Sequence, residues 1–415
     1  MGTGIPESKE RFETPARPSG LDAFKHLRDD DILVLTEQHW DAPKRIAHKM
    51  PIAWAEAGNR VLWIEGAPFP VQDWRRRGQL RRSLRGCLMQ PHERLWVGSA
   101  PPALPWMHKG GVRGNWLRAW HRPAMVLRLQ RYLKRLGMAP KLVVLMQLAV
   151  RHDLLDAFPR ATSVYYCHDL FGYGAATKPA FDEEAECCRR VDQVWATSEV
   201  QRQRLAAFNS RTYLMPHAVD ERWWDHHCNE RPTEYGSIGR PRIVFTGVVQ
   251  TEKIDLELLI EAARLRPNVS FVFVGPHQIR PAEEALMRRA RQAKNLHWLG
   301  ERRVEQLPGY IAGADVLMLP YRLDDPNTPY IGQSLKFFEY MISGKPVIVT
   351  PYTRFAADVQ DLITIAEGAA AWAEALDTTV TDRDPGVAAR REALARRNTY
   401  RQRINQQRAL LDGTA

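Results

Sequence analysis

The chain alternates short apolar runs with longer stretches in which apolar residues recur every three to four positions. DILVLTE (31–37), RVLWIE (60–65), KLVVLM (141–146), TSVYY (162–166), QVWATS (193–198) and TYLMP (212–216) are the first runs. Residues 43–57, 182–190 and 199–207 between them carry helical spacing. Unbroken apolar runs of this length are strands buried on both faces, so the alternation predicts a parallel sheet covered by helices. Residues 221–241, ERWWDHHCNERPTEYGSIGRP, are polar with Pro and Gly and predict a linker. The rhythm then restarts with RIVFTG (242–247), FVFVG (271–275), HWLG (297–300), DVLMLP (315–320), PVIVT (346–350) and LITIA (362–366). Helices fit 255–266, 281–293, 304–313 and 333–343, and the tail from Ala369 is Ala/Arg/Glu-rich and helical.

The pattern therefore predicts an α/β chain of two consecutive doubly wound, Rossmann-like modules. The expected boundaries are a disordered tail at 1–25, a first domain at 26–220, a linker at 221–241, a second domain at 242–385, and a helix and tail at 386–415. Doubly wound sheets bind ligands beyond the carboxyl ends of their strands, so two of them place the expected site in the cleft between the modules.

Composition narrows the class. Of 415 residues, 44% are hydrophobic and 26% charged, as in ordinary globular proteins. Five scattered cysteines without a CxxC pair argue against a disulfide framework or a structural zinc, and fit a reducing compartment. His226-His227-Cys228 lacks a second ligand pair, so no metal is expected. The first twenty residues have no apolar core of a signal peptide, and the longest apolar stretches are too short to span a bilayer. The expectation is a cytoplasmic protein, peripheral at a membrane.

Charge sharpens that expectation. The net charge is +11, yet between 71 and 141 sixteen Lys/Arg stand against only Asp73 and Glu93. Trp74, Trp96, Trp106, Trp116 and Trp120 are interleaved with them, and 122–138 reads as an amphipathic basic helix. Trp among Arg suits a lipid–water interface, so an anionic membrane surface is the partner expected for 71–141. The same composition could serve nucleic acid, an alternative disfavoured by the motifs below.

The most informative stretch is NTPYIGQSLKFFEYMISGKPVIVTP (327–351), a helix, a glycine turn and a buried strand. Lys336 and Glu339 are three apart and share one helix face, either as a surface ion pair or as a phosphate-binding cation beside a ribose-binding carboxylate. Asp169 follows the strand TSVYYC and so lies at a carboxyl end facing the expected cleft. There it would be a general base or the cap of the next turn. His168, with an expected pKa near neutrality, is its rival. Glu37-Gln38-His39-Trp40 after the first strand is the expected acceptor loop, or else a simple helix entry with a core Trp, with Arg45 and His48 on the next helix.

These strings resemble GT-B glycosyltransferases of the family 4 (group 1) type. The segment 331–351 resembles their donor-site signature. LHWLGERRVEQLPGYIAGADVLMLPY (296–321) and FTGVVQTEKIDLELLIEAARLRPNVSFVFVGP (245–276) resemble the two stretches that precede it. The first half is similar more loosely, through 36–66, YYCHDLFGY (165–173) and 191–220, in a layout shared with xanthan-type glucuronosyltransferases, which use an aspartate base.

The resemblance implies a metal-independent transferase that needs no cofactor and moves a sugar from a UDP- or GDP-sugar to the hydroxyl of a glycan or glycolipid. It implies that the C-terminal helix returns to the first domain. Donor-binding roles fall on Gly247, Val248, Lys253, Gly275, Gly300, Glu301, Tyr321, Gln333, Ser334, Leu335, Lys336 and Glu339. Acceptor contacts fall on His39, Trp40, Arg45 and His48, and catalysis on Asp169 or His168. One position departs from the pattern: the first of the family's two glutamates falls on Ile331, for which Gln333 or Asn327 would substitute. A GT-B sugar-nucleotide epimerase and a non-catalytic basic nucleic-acid or membrane-binding protein are the competing readings.

Overall fold

Eight strands build the first sheet: β1 (Asp31–Thr36), β2 (Arg60–Glu65), β3 (Leu88–His92), β4 (Leu95–Ser99), β5 (Leu142–Met146), β6 (Thr162–Cys167), β7 (Gln193–Ala196) and β8 (Thr212–Leu214). Their order is β3-β4-β2-β1-β5-β6-β7-β8, parallel except for the edge strand β3. The computed structural model describes residues 27–42, 46–66, 77–102, 112–170 and 178–414. The first-domain helices are α1 (Ile46–Glu56), α2 (Arg77–Arg85), α3 (Val112–Leu136), α4 (Lys178–Arg190) and α5 (Glu199–Ala206). Strands β1, β5 and β7 are buried at every position, which is why they read as plain apolar runs.

Strands β3 and β4 lie inside the basic stretch where the sequence pattern predicted none. The β3 strand is the exposed edge and carries Pro91, a residue that a sheet tolerates at its edge because an edge N–H needs no partner. Its alternation is too weak to read as a strand.

The second sheet joins β9 (Arg242–Thr246), β11 (Ser270–Val274), β13 (Leu296–Gly300), β14 (Val316–Leu319), β15 (Val347–Val349) and β16 (Thr364–Ile365), all parallel, in the order β13-β11-β9-β14-β15-β16. A small pair, β10 (Val249–Gln250) and β12 (His277–Gln278), sits above it. Helices α6 (Glu221–His227), α7 (Leu256–Leu265), α8 (Glu284–Gln292), α9 (Leu307–Ala312), α10 (Leu335–Met341), α11 (Ala357–Gln360), α12 (Ala369–Thr379) and α13 (Pro385–Arg396) follow in chain order. Each sheet reverses its strand order once, between β1 and β5 and between β9 and β14, and those switch points fix where a ligand can enter.

The stretch 221–241 differs from the expected linker. It forms α6, and Trp223, Trp224, Tyr235 and Ile238 are buried in the core of the second domain. Its polar residues lie on the outside of a short helix, so composition concealed the four anchors. The tail divides: α13 buries Leu394 and Ala395 in the second-domain core, whereas α14 (Tyr400–Asp412) buries Tyr400, Ile404, Leu410 and Leu411 against the first. The chain crosses between domains twice at one place, where Val219 and Thr399 form a parallel bridge.

Candidate functional site

The second domain contributes a glycine-lined wall. Gly247 and Gly275 follow β9 and β11 directly, and Gly300 ends β13; Gly247 N–H donates to Val274 O at 2.8 Å and Gly275 N–H to Gly300 O at 2.8 Å. Gly247 has φ +116°, and a Cβ there would stand 2.4 Å from Cε and 2.9 Å from Nζ of Lys336. The lysine therefore lies along the bare glycine backbone, with Nζ 5.6 Å from the Phe245 ring.

Helix α10 holds that lysine in place. Ser334 caps it by accepting from Phe337 N–H, and Phe337 and Phe338 are fully buried beneath it. Tyr340 OH accepts the Thr246 N–H at 2.8 Å, which locks the helix onto the end of β9. Glu339 is 9% exposed, and its carboxylate lies 3.9 Å from Lys49 Nζ, on α1 of the first domain. Burial raises the Glu339 carboxyl, against the opposing pull of Lys49 and Lys336.

Other donor-side expectations fare differently. Ile331 packs against the second-domain core and offers no polar group, whereas Asn327, half-buried, donates from Nδ2 to Asp325 at 2.8 Å. Gln333, Ser334 and Leu335 are half-buried at the start of α10, Val248 is half-buried beside Gly247, and Glu301 is exposed after Gly300. Tyr321 is 5% exposed and packs edge-on against Tyr352, so its ring belongs to the core. Lys253 lies in the turn after β10, its N–H on Gln250 O.

The first domain answers from the ends of β1, β5 and β6. Asp169 is exposed, and among the described residues no hydrogen bond reaches its carboxylate. His217, on the loop after β8, feels Asp169 from its own domain and Lys336 from the other, so these three groups converge across the cleft. Burial pushes the His217 imidazole down to about 4; Asp169 opposes this, and Arg403 and Lys336 add to it. The cleft is closed at one rim, where a Cβ on Gly332 would come 2.5 Å from Ser198 Cβ.

Two expectations are corrected here. His168 is 5% exposed with its ring 4.4 Å from Tyr166, and burial drives its pKa well below the ordinary imidazole value, not near neutrality. His48 is fully buried and its Nε2 meets His39 O at 2.9 Å, so it shapes the loop from inside instead of facing an acceptor. Trp40 packs between His48 and Trp63, at 5.5 and 5.3 Å. His39 is half-buried, with Nδ1 3.9 Å from Glu65. Arg45 lies outside the described residues.

Sequence reasoning missed Gln147 and His217 and passed over Glu37 as one member of a loop. Each directly follows or closely trails an apolar run, which was the available signal. Glu37 is exposed as a residue at the end of β1, yet desolvation by the protein around its carboxyl raises it to about 7. Among the described residues no three His, Cys, Asp or Glu side chains gather as a metal site.

Two Rossmann-like domains facing each other across such a cleft, with the last helix returned to the first domain, make this the GT-B fold. Residues 240–382 match the family model described as Glycosyl transferases group 1, so the second domain is a group 1 glycosyltransferase domain. A putative teichuronic acid biosynthesis glycosyltransferase, TuaH of Bacillus subtilis, is 24% identical over 173 residues. That alignment spans 40% of this chain and 42% of the relative's length. Among solved structures, sucrose-phosphate synthase from Thermosynechococcus elongatus superposes with TM-score 0.62 at 15% identity, covering 92% of this chain and 98% of that one. HepE from Anabaena in complex with UDP-glucose gives 0.61 at 18% identity, covering 93% and 100%.

Proposed function

We propose that the protein transfers a sugar from a nucleoside-diphosphate sugar to an acceptor hydroxyl in this cleft. The observation that carries the reading is Lys336 laid on the Gly247 backbone opposite the exposed carboxylate of Asp169, with His217 sensing both. Lys336 would face the diphosphate and Glu339 the ribose hydroxyls. HepE, which shares the fold, is solved in complex with UDP and with UDP-glucose, which supports a nucleotide sugar as the donor.

In the transfer, the acceptor O–H proton goes to Asp169, the acceptor oxygen bonds the anomeric carbon, and the bond from that carbon to the diphosphate breaks. The leaving diphosphate keeps the electron pair, and its new charge is met by Lys336. A base on the face opposite the leaving group favours inversion. His168 is buried and His217 half-buried; both are held below the ordinary imidazole pKa and would act as neutral hydrogen-bonding groups near pH 7. Because fixed cations meet the diphosphate charge, we propose turnover without a metal, so EDTA should leave the rate unchanged.

The acceptor is proposed to be membrane-associated. Helix α3 turns Trp116 (67% exposed), Ala119, Trp120 (68%), Pro123, Ala124 and Leu127 outward, followed by Arg131, Lys134 and Arg135 on the same side. Leu84, Arg81 and Arg85 of α2 are exposed alongside, since Arg128 of α3 bonds Ser83 O of α2 at 2.9 Å. An apolar tryptophan face ending in cations suits an anionic bilayer surface.

The cationic part is smaller than the sequence count implies. Arg82, Arg94, Arg118, Arg122, Arg128 and Lys141 are engaged with carboxylates or carbonyls of the first domain. No helix among the described residues is long and apolar enough to cross a membrane.

The test is Asp169→Asn assayed with UDP- and GDP-sugars. Turnover should fall by about 10²–10⁴-fold, as for loss of a general base, with nucleotide affinity kept. Unchanged turnover would remove Asp169 from the reaction.

A further inference from the structure

Gln147 follows β5 directly, at the strand-order switch between β1 and β5, where Thr36, Met146 and Tyr166 stand side by side in register. It is one of only three non-glycine residues with positive φ among the described residues, at +55°. Such a conformation is unfavourable for a residue with a Cβ and clusters where function demands it.

The geometry shows what the conformation achieves. Gln147 Oε1 accepts the backbone N–H of His168 at 2.8 Å and of Asp169 at 3.2 Å. Its Nε2 donates to Asp169 O at 2.9 Å. One side-chain amide thus satisfies three backbone groups of the two residues that follow β6. From the other side, Thr197 Oγ1 donates to His168 O at 2.6 Å. The loop is pinned from both neighbouring strands, and the Asp169 carboxylate is the group it leaves exposed to the cleft.

We infer that Gln147 is a positioning residue for transfer: its left-handed backbone aims the amide that fixes the Asp169 loop, so that the carboxylate meets the acceptor hydroxyl. The inference rests on Asp169 being the acceptor base.

The experiment compares Gln147→Ala, Gln147→Gly, Gln147→Glu and Asp169→Asn, assayed for UDP or GDP release from UDP- and GDP-hexoses with an octyl glycoside acceptor. It adds thermal melting and amide hydrogen exchange at His168 and Asp169. Gln147→Ala should lower kcat by about 10²-fold, the usual effect of misplacing a reacting group by an ångström, with donor KM unchanged. Gln147→Gly loses the same three hydrogen bonds but relieves the positive φ, so it should melt higher than Gln147→Ala and yet be as slow. Both should speed exchange at the two amides.

Gln147→Glu keeps the acceptor for the two N–H groups but, once ionised, loses the donor to Asp169 O and sets a charge against that carbonyl. It should be slower than the wild type, with donor KM unchanged. The double variant Gln147→Ala/Asp169→Asn should be no slower than Asp169→Asn alone, because Gln147 acts through Asp169. Multiplying losses, or a lower melting temperature with normal kcat and normal exchange, would overturn the positioning role and leave the base reading standing. Wild-type kcat in Asp169→Asn would overturn both.

Discussion

Replacing Gly247 by alanine is the sharpest test of the donor wall, because the structure says what the added methyl meets. The new Cβ would sit 2.4 Å from Lys336 Cε, and the φ of +116° is one that L side chains rarely adopt. The backbone strain alone costs about 1–2 kcal/mol. The lysine end is flexible and yields, so the fold should survive, but Nζ must leave the glycine loop. If it retreats from about 4 to about 6 Å from a phosphate charge, at an effective dielectric near 20, the attraction drops by about 1.4 kcal/mol, or roughly tenfold in affinity.

Gly137→Ala is the control. It has φ +60° with nothing within 4 Å of the new Cβ, and it precedes β5 at the end of the sheet away from the cleft. It should lose less stability and no nucleotide affinity. Gly275→Ala is the opposite extreme, since its Cβ would meet Gly247 O at 2.1 Å, a backbone atom that cannot move cheaply. It should be the least stable of the three. Calorimetric titration of UDP and GDP reads the affinities and melting reads the stabilities. Equal nucleotide affinity in the Gly247 and Gly137 variants would refute the contact between Lys336 and the diphosphate.

Two further outcomes are expected. The Glu37 carboxyl is raised to about 7 from the usual 4.5, so it favours the folded state below pH 4.5 and that contribution is lost as pH climbs through 7. Glu37→Gln should therefore melt progressively higher than the wild type between pH 5 and 8, and a constant difference across that range would refute the shift. Trp116→Ser/Trp120→Ser should weaken sedimentation with phosphatidylglycerol vesicles, and Arg131→Gln/Lys134→Gln/Arg135→Gln should weaken it by about 1 kcal/mol per charge and flatten its salt dependence. Undiminished binding in both would remove α3 as the docking face.

Much of the fold was legible because a parallel strand buried on both faces writes itself as an unbroken apolar run. Asp31–Thr36, Arg60–Glu65 and Arg242–Thr246 begin where the pattern placed them and end within a residue of it. Strand Leu88–His92 was not legible, since an edge strand has no second buried face to mark it. The segment 221–241 misled for a related reason: four buried side chains among polar neighbours are enough to dock a segment and too few to show in composition.

On the site, Lys336 was legible from the helix face it shares with Glu339, and Asp169 from its place after an apolar strand. Gln147 was not, because its role lies in a backbone angle and in bonds to residues more than twenty positions away. His168 and His48 misled because histidine in a sequence does not announce burial, and burial decides whether an imidazole can take a proton near pH 7.

The central claim is that a nucleoside diphosphate sits on Lys336 in this cleft, and melting the wild type and Lys336→Ala with UDP, GDP and their sugars tests it most directly. A nucleotide at about 100 times its Kd adds about 2.7 kcal/mol to stability, roughly 5–10 °C for a domain of this size. The account predicts a shift of that order in the wild type for at least one nucleotide, and its loss in Lys336→Ala. No shift with any nucleotide, or the same shift in both proteins, would contradict it.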